Sequence, residues 1–306
     1  AGRAAQQPAV SDKHARLVEQ VLDDPGTVIL LGSMDSGKTT FARALLAGAV
    51  GRGIPAAYLD TDVGRTTVGP PTTIGLKHVL EAKHLSDEEL ARADGLYFVG
   101  WVSAQFHLLP LVAGTAKLMN EARAGGAELV VVDTSSLISG VYGQILKYHK
   151  LEVTRPDYVI GFQRGEELDP LLGIARRFTP ARVEAWPVHP DTQPTSAYDR
   201  AETRRARFAS YFSGPLHRWR VKPAVFMPSL PPDADLRSLA GLLVGMEDGK
   251  GSCVGIGYLE LAEDGGLRMI STVSEGARAL RLGSTRITPD WSSTTRVDLR
   301  HLFGTE

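Results

Sequence analysis

The chain is poor in the residues that staple or anchor a fold. Among its 306 residues there is a single cysteine, Cys253. Neither an internal disulfide nor a cysteine-built zinc site can form, which fits a reducing compartment. No apolar run approaches the roughly 20 residues that a membrane helix needs, and Ala1-Gly2-Arg3-Ala4-Ala5-Gln6-Gln7 has no signal-peptide core. A cytoplasmic protein without a membrane partner is expected. Excess charge is missing too, because Lys and Arg total 34 against 35 Asp and Glu, for a formal net charge of −1. Any site for a polyanion must be a local patch and not a basic face of the whole molecule.

What is present is a strong local pattern. The apolar run Val28-Ile29-Leu30-Leu31 feeds Gly32-Ser33-Met34-Asp35-Ser36-Gly37-Lys38-Thr39, and Phe41 to Leu46 continues with helical spacing. A strand, G-x-x-x-x-G-K-T and a helix together make a phosphate-binding loop. Glycines let successive N–H groups turn inward onto phosphate oxygens, and the helix start adds the positive end of its dipole. Residues Gly32, Ser33, Met34, Asp35, Ser36, Gly37, Lys38, Thr39 and Thr40 are the candidate nucleotide contacts. Lys38 would reach the outer phosphates, and the Thr39 hydroxyl would hold magnesium.

Further strands are read within Ala56 to Arg65, with Asp60 and Asp62 on one face at its carboxyl end, and at Leu96 to Trp101, Glu128 to Thr134, Tyr158 to Phe162 and Arg182 to Val188. Helical patterns cover Ser11 to Leu22, with Ser11 available as a cap, Leu108 to Ala124, and Gln144 to Lys150, and residues 1–10 read as a loose arm. Alternation of this kind predicts an α/β fold with a mainly parallel sheet. Asp60 and Asp62 stand two apart at a strand's carboxyl end, where open α/β sheets place their chemistry. They are read as magnesium ligands or a base, against plain strand-end capping. Asp133 ends the fourth strand at a Walker-B position and completes the metal set Thr39, Asp60, Asp62 and Asp133.

Ser103, Gln105 and His107 lie at the mouth of a strand-to-helix turn. Each could line a site or serve as a cap or surface residue. After the Pro/Thr/Ser-rich stretch from Pro190 to Ser196, Arg200, Arg204 and Arg207 share one helical face. A solvated basic helix is the ordinary reading, and a lid closing on transferring phosphate is the sharper one. From about residue 215, Gly-punctuated short strands at Gly255 to Leu261, Leu267 to Val273, Arg286 to Thr288 and Arg296 to Leu299 indicate a small β-rich domain. The division expected is 1–214, with the lid near 198–214, and 215–306.

Assembled, these motifs resemble the polynucleotide 5′-hydroxyl kinase family, which includes the RNA kinase subunit of eukaryotic pre-mRNA 3′-end cleavage and the ribosomal-RNA-processing kinases. The resemblance rests on Asp60-Thr61-Asp62-Val63-Gly64 with Pro70-Pro71, on the clasp-like Phe98 to His107, and on Asp133-Thr134-Ser135-Ser136 with Gly140, Gly143 and Leu146-Lys147. It extends to Arg207 to Gly214 at the end of the lid and to Gly241 to Gly257, which is similar to the C-terminal domain of prokaryotic members. It implies transfer of the γ-phosphate of ATP, with GTP or another nucleoside triphosphate left open, to the 5′-hydroxyl of RNA or DNA, with Mg2+. Asp62 would orient or deprotonate the hydroxyl, and Arg200 and Arg204 would neutralise the phosphoryl group in flight. Ser103, Gln105, His107, Thr134 and Lys147 would contact the substrate. Departures are Arg65 where the family usually has glutamine, Ala104 for a clasp proline, and Leu137 for a base-stacking tryptophan. The N-terminal β-domain that covers the base in eukaryotic members is expected to be absent. A switch or assembly ATPase, a nucleoside or sugar kinase, and an inactive ATP-binding scaffold stay open beside the kinase reading.

Overall fold

The computed structural model describes residues 12–189, 192–288, 290–291 and 293–302. The expected N-terminal arm and the Ser11 cap lie outside them, as does Pro190.

The phosphate-loop strand, β1 (Thr27–Gly32), is an inner strand of a seven-stranded sheet. Around it lie β2 (Ala56–Thr61), β3 (Thr73–Val79), β4 (Gly95–Phe98), β5 (Leu129–Thr134), β6 (Tyr158–Gln163) and β7 (Arg182–Pro187), in the order β4-β3-β2-β5-β1-β6-β7. From β2 to β7 every pairing is parallel. β1, β2 and β5 are buried along their whole length, as expected for strands covered on both faces. Period-two alternation divides them between two cores. Ile29 and Leu31 join Leu118, Leu146 and Val159 on one side, and Val28 and Leu30 join Leu45, Leu46 and Val131 on the other.

The covering helices are α1 (Asp12–Asp23), α2 (Lys38–Gly51), α3 (Asp87–Ala91), α4 (Leu108–Ala124), α5 (Gly140–Thr154) and α6 (Asp169–Phe178). α1 buries Leu17, Val18, Val21 and Leu22 in the α2 core, matching its sequence spacing.

The structure adds elements that the sequence reading does not assign. β3 runs antiparallel to β2 and to β4, so one end of the sheet is a hairpin instead of another crossover. Its polar content hides it: Lys77 is buried because its ammonium donates to the Arg92 carbonyl at 2.9 Å and to Asp94 at 3.3 Å. α6 is likewise unassigned, between β6 and β7.

A second seven-stranded sheet follows the helix α7 (Ala197–Tyr211). It contains β8 (His217–Val221), β9 (Phe226–Met227), β10 (Leu242–Glu247), β11 (Cys253–Leu261), β12 (Leu267–Ser271), β13 (Ala279–Ile287) and β14 (Thr294–Arg296), ahead of α8 (Leu299–Leu302). Its pairings are antiparallel apart from β9 with β13. The short strand read at Arg286 is the end of the longer β13. The one read at Arg296 to Leu299 divides between β14 and α8. β10 escapes a sequence reading because Gly245 interrupts its apolar run, and a Cβ there would collide with the Phe98 ring. That ring is the seam between the sheets. Phe98 packs with Phe208 and Phe212 at the α7 end and with Leu243 and Ile256 of the second sheet. The Gly100 carbonyl accepts from Ser284 N at 2.9 Å and Thr285 Oγ1 at 2.8 Å. Among the described residues no helix is long and apolar enough to cross a membrane.

Candidate active site

A cleft of about 410 Å3 opens at the carboxyl edge of the parallel strands. Its lining comes from the phosphate loop, the turn after β2, the end of β5 and one face of α7.

The loop wall is built first by backbone. Gly37 sits at φ 89 ahead of α2, with nothing near its absent Cβ. Glycine is required there by the dihedral, not by crowding. Met34 to Thr40 line the cleft, whereas Gly32 and Ser33 form the loop's root. Lys38 folds back and donates to the carbonyls of Gly32 at 3.0 Å and Ser33 at 2.8 Å. Burial lowers its pKa, while the charges of Asp133 and Asp62 resist the shift. Arg164, beyond β6, clamps the outside of the loop, donating to Ser33 Oγ at 3.0 Å and to the Asp35 carbonyl at 2.7 Å. No motif marks Arg164. The signal available is register: β6 pairs with β1 up to Phe162 opposite Gly32, so the residues after it must meet the loop.

The acidic floor follows from register as well. Asp60 and Asp133 are direct neighbours on parallel strands. Asp133 Oδ2 accepts from Thr39 Oγ1 at 2.6 Å and from the Tyr58 hydroxyl at 3.1 Å. Oδ1 is buried and has no hydrogen-bond partner. Burial raises the Asp133 pKa against the pull of Lys38 and Thr39.

The two aspartates of the β2 end part company. Asp60 is turned inward, with Oδ1 taking the Asp62 amide at 2.9 Å and Oδ2 taking the amides of Thr67 and of Val68, the latter at 3.2 Å. With both oxygens committed to backbone, Asp60 organises the 62–68 turn, which departs from the expected role as a metal ligand. Burial and the Asp133 charge push its carboxyl up to about 7. Asp62 lies past the strand end and lines the cleft, its Oδ1 held by the Gly64 amide at 3.0 Å.

Thr134 and Lys147, expected at the substrate, are instead buried structural partners. Lys147 donates to Thr134 Oγ1 at 2.8 Å and to the Ser135 carbonyl at 2.6 Å, and Thr134 donates to the Leu30 carbonyl at 2.7 Å. Burial, with repulsion from Lys150 and Lys38, drives the Lys147 pKa well below that of an ordinary lysine. Lys150, one turn on, is a second buried amine that sequence reasoning misses. It donates to Thr61 Oγ1 at 2.6 Å, and burial lowers its pKa to about 8 against the attraction of Asp62, Asp60 and Asp133.

α7 forms the facing wall. Ser196 caps it by accepting from the Asp199 amide at 3.1 Å, and buried Phe208 fixes its other end in the aromatic seam. Arg200, Arg204 and Arg207 all line the cleft, while Arg205 turns away to pair with Glu202. Burial, and then the like charge of Arg200, lower the Arg204 pKa. The two walls are latched. Asp35 of the phosphate loop pairs with Arg65 and accepts from Thr195 N at 2.8 Å, just ahead of α7.

Ser103, Gln105 and His107 are not among the residues lining this cleft. They sit on the adjoining segment, whose Val102 carbonyl would be 3.2 Å from a Cβ on Gly64. Ser103 Oγ accepts from the Gln105 amide at 3.3 Å, and His107 lies 3.3 Å from Ser284 Oγ of the second sheet.

An orphaned Asp133 oxygen beside the Thr39 hydroxyl suits magnesium, which is held by one or two carboxylates and completes its shell from phosphates and water. Among the described residues no three His, Cys, Asp or Glu side chains group into a protein-only metal site. The arrangement can hold the phosphate tail of a nucleotide, and it faces that tail with arginines and the Asp62 carboxylate.

Known proteins place the chain on the same ground. The polyribonucleotide 5'-hydroxyl-kinase of Pyrococcus abyssi is 31% identical over 191 residues, 62% of this chain and 52% of the relative. The chain thus spans about half the length of that relative. The enzyme of the same name from Thermococcus kodakarensis is 26% identical over 346 residues, covering 92% of this chain and 94% of its own. The structure of a wild-type Clp1p–Pcf11p complex matches with a TM-score of 0.68 at 13% identity, over 90% of this chain and 78% of the other, and so shares the fold. Residues 32–214, more than half the chain, match the family model described as mRNA cleavage and polyadenylation factor CLP1 P-loop, and the protein belongs to that family.

Proposed function

We propose that this protein transfers the terminal phosphoryl group of ATP, or of another nucleoside triphosphate, to the 5′-hydroxyl end of RNA or DNA. The observation that carries the reading is convergence. A phosphate loop, the carboxylate of Asp62 and the guanidiniums of Arg200, Arg204 and Arg207 line one cleft. The names of the relatives support the same chemistry. A nucleotide-driven switch needs no carboxylate for an acceptor and no cationic wall opposite it.

Phosphoryl transfer asks the protein for positioning and charge stabilisation more than for covalent work. Lys38 would exchange its bonds to the Gly32 and Ser33 carbonyls for phosphate oxygens. Thr39 and Asp133 would hold Mg2+, which would supply positive charge against the phosphate tail. The Gly64 amide fixes Asp62 Oδ1, which leaves Oδ2 to accept the proton of the attacking 5′-hydroxyl. Asp60 sets that geometry by holding the turn's amides. Arg200 and Arg204 would meet the charge on the transferring group. On this reading residues 1–214 are the kinase domain, α7 is its lid, and residues 215–306 are a β-rich domain that anchors the lid's far end. A cytoplasmic location belongs to the same reading, supported by the lone buried thiol of Cys253.

The test is nucleotide turnover with and without an oligonucleotide bearing a free 5′-hydroxyl. Turnover should depend on that end and be lost in Asp62→Asn. Hydrolysis that ignores the oligonucleotide would support a switch ATPase, and competition by a free nucleoside would support a small-molecule kinase.

A further inference from the structure

Five large exposed apolar side chains stand on two segments that meet each other. Phe106, Leu109, Val141, Tyr142 and Ile145 all stand out from the 100–107 segment and the first turns of α4 and α5. Two of them form a pair: the rings of Phe106, 55% exposed, and Tyr142, 49% exposed, meet edge to face with centroids 6.0 Å apart. The Arg296 guanidinium, from β14 of the second sheet, lies 4.7 Å over the Phe106 ring. Among the described residues it has no ion-pair partner.

We propose that Phe106, Tyr142 and Arg296 form a stacking platform for the single-stranded nucleotides that follow the 5′-hydroxyl end. The proposal rests on the kinase reading of the cleft and names where the rest of the acceptor strand lies. Its position follows from continuity. The segment bearing Phe106 begins beside Gly64, and the segment bearing Tyr142 begins at Ser136, and both Gly64 and Ser136 line the cleft. One segment leaves the cleft beside Gly64 and the other after β5, and they meet at the ring pair.

The chemistry of the patch selects nucleic acid over a protein surface. Half-exposed aromatic rings and a guanidinium plane are the groups on which bases stack, with little preference for sequence. Neither residues 100–109 nor residues 135–147 contain an aspartate or glutamate, so nothing on either segment repels a phosphate backbone. Phe106 also holds φ at 67, a dihedral that costs a bulky residue free energy and that a purely structural loop would give to glycine or asparagine. The chain keeps a large apolar ring at a strained, solvent-facing position.

The experiment is fluorescence anisotropy of a labelled single-stranded oligonucleotide of about ten nucleotides with a free 5′-hydroxyl, together with phosphoryl transfer to the same strand. Tyr142→Ala and Arg296→Ala should each raise Kd about tenfold, and Tyr142→Phe should restore wild-type binding. Both sites are exposed, so truncation should not unfold the chain, and circular dichroism checks this. A Kd within about twofold of wild type in both alanine variants overturns the platform, and if wild type still transfers phosphate, the kinase reading stands without it. A wild type that binds the strand through these residues but transfers nothing sinks the kinase reading alone. A wild type that does neither overturns both.

Discussion

The two walls of the cleft are held in different ways. The phosphate-loop wall is fixed by its own backbone and by the strand beneath it: Gly37 sets the turn, Lys38 ties to the loop's carbonyls, and Asp133 ties the start of α2 to β5. The α7 wall is held by fewer ties, by Phe208 in the aromatic seam and Arg207 on the Thr67 carbonyl at 3.4 Å towards one end, and by Thr195 on Asp35 at the other. One wall is preorganised before any ligand arrives, and the other sets Arg204 in a partly buried position beside the like charge of Arg200. The difference suits a kinase, in which the nucleotide tail is gripped first and charge-neutralising groups act on what moves.

The largest effect should come from the fixed wall. Lys38→Ala is expected to lower transfer to a 5′-hydroxyl oligonucleotide by about a thousandfold, measured with labelled γ-phosphate. Next comes the α7 wall. Arg200→Ala combined with Arg204→Ala should lower kcat about a hundredfold with little change in KM for nucleotide, because these side chains face the cleft without shaping the loop. Should nucleotide KM rise as steeply as kcat falls, α7 would belong to ground-state binding and the contrast between the walls would disappear.

Asp60 tests the turn that joins them. Removing one acceptor from its amide cluster by Asp60→Asn should cost about 1–3 kcal/mol of stability. The substitution should also change the pH dependence. The folded carboxyl titrates at about 7 against 3.8 for an unperturbed aspartate, so between those values the native state binds more protons than the unfolded chain. Its contribution is therefore full below about 4 and lost as pH rises through 7. Denaturant midpoints across that window should fall less with pH in Asp60→Asn than in wild type. The smallest effect is expected at the latch. Asp35→Ala releases Arg65 and Thr195 and should raise nucleotide KM about threefold, the scale of a partly exposed ion pair, without a comparable loss in kcat.

What could be read without coordinates follows the same division. The phosphate loop, Asp133 and the Arg200, Arg204 and Arg207 face are local patterns, each complete within a few residues of sequence. Arg164, Tyr58 and Lys150 reach the site only through strand register and helix packing, and no short motif carries that information. The pair Asp60 and Asp62 shows the limit most sharply. Their spacing of two puts both at a strand end, but the strand stops at Thr61, and the turn that follows swings Asp62 into the cleft while claiming both oxygens of Asp60. The family resemblance alone puts Lys147 and Thr134 at the substrate. Burial decides between solvent and core, and burial depends on what α5 packs against.

The most direct measurement offers one oligonucleotide sequence with either a 5′-hydroxyl or a 5′-phosphate and follows label from the γ-phosphate of ATP. Label should appear on the 5′-hydroxyl strand alone and vanish with Lys38→Ala. Phosphate released at the same rate with either strand, and no label on either, would contradict the account.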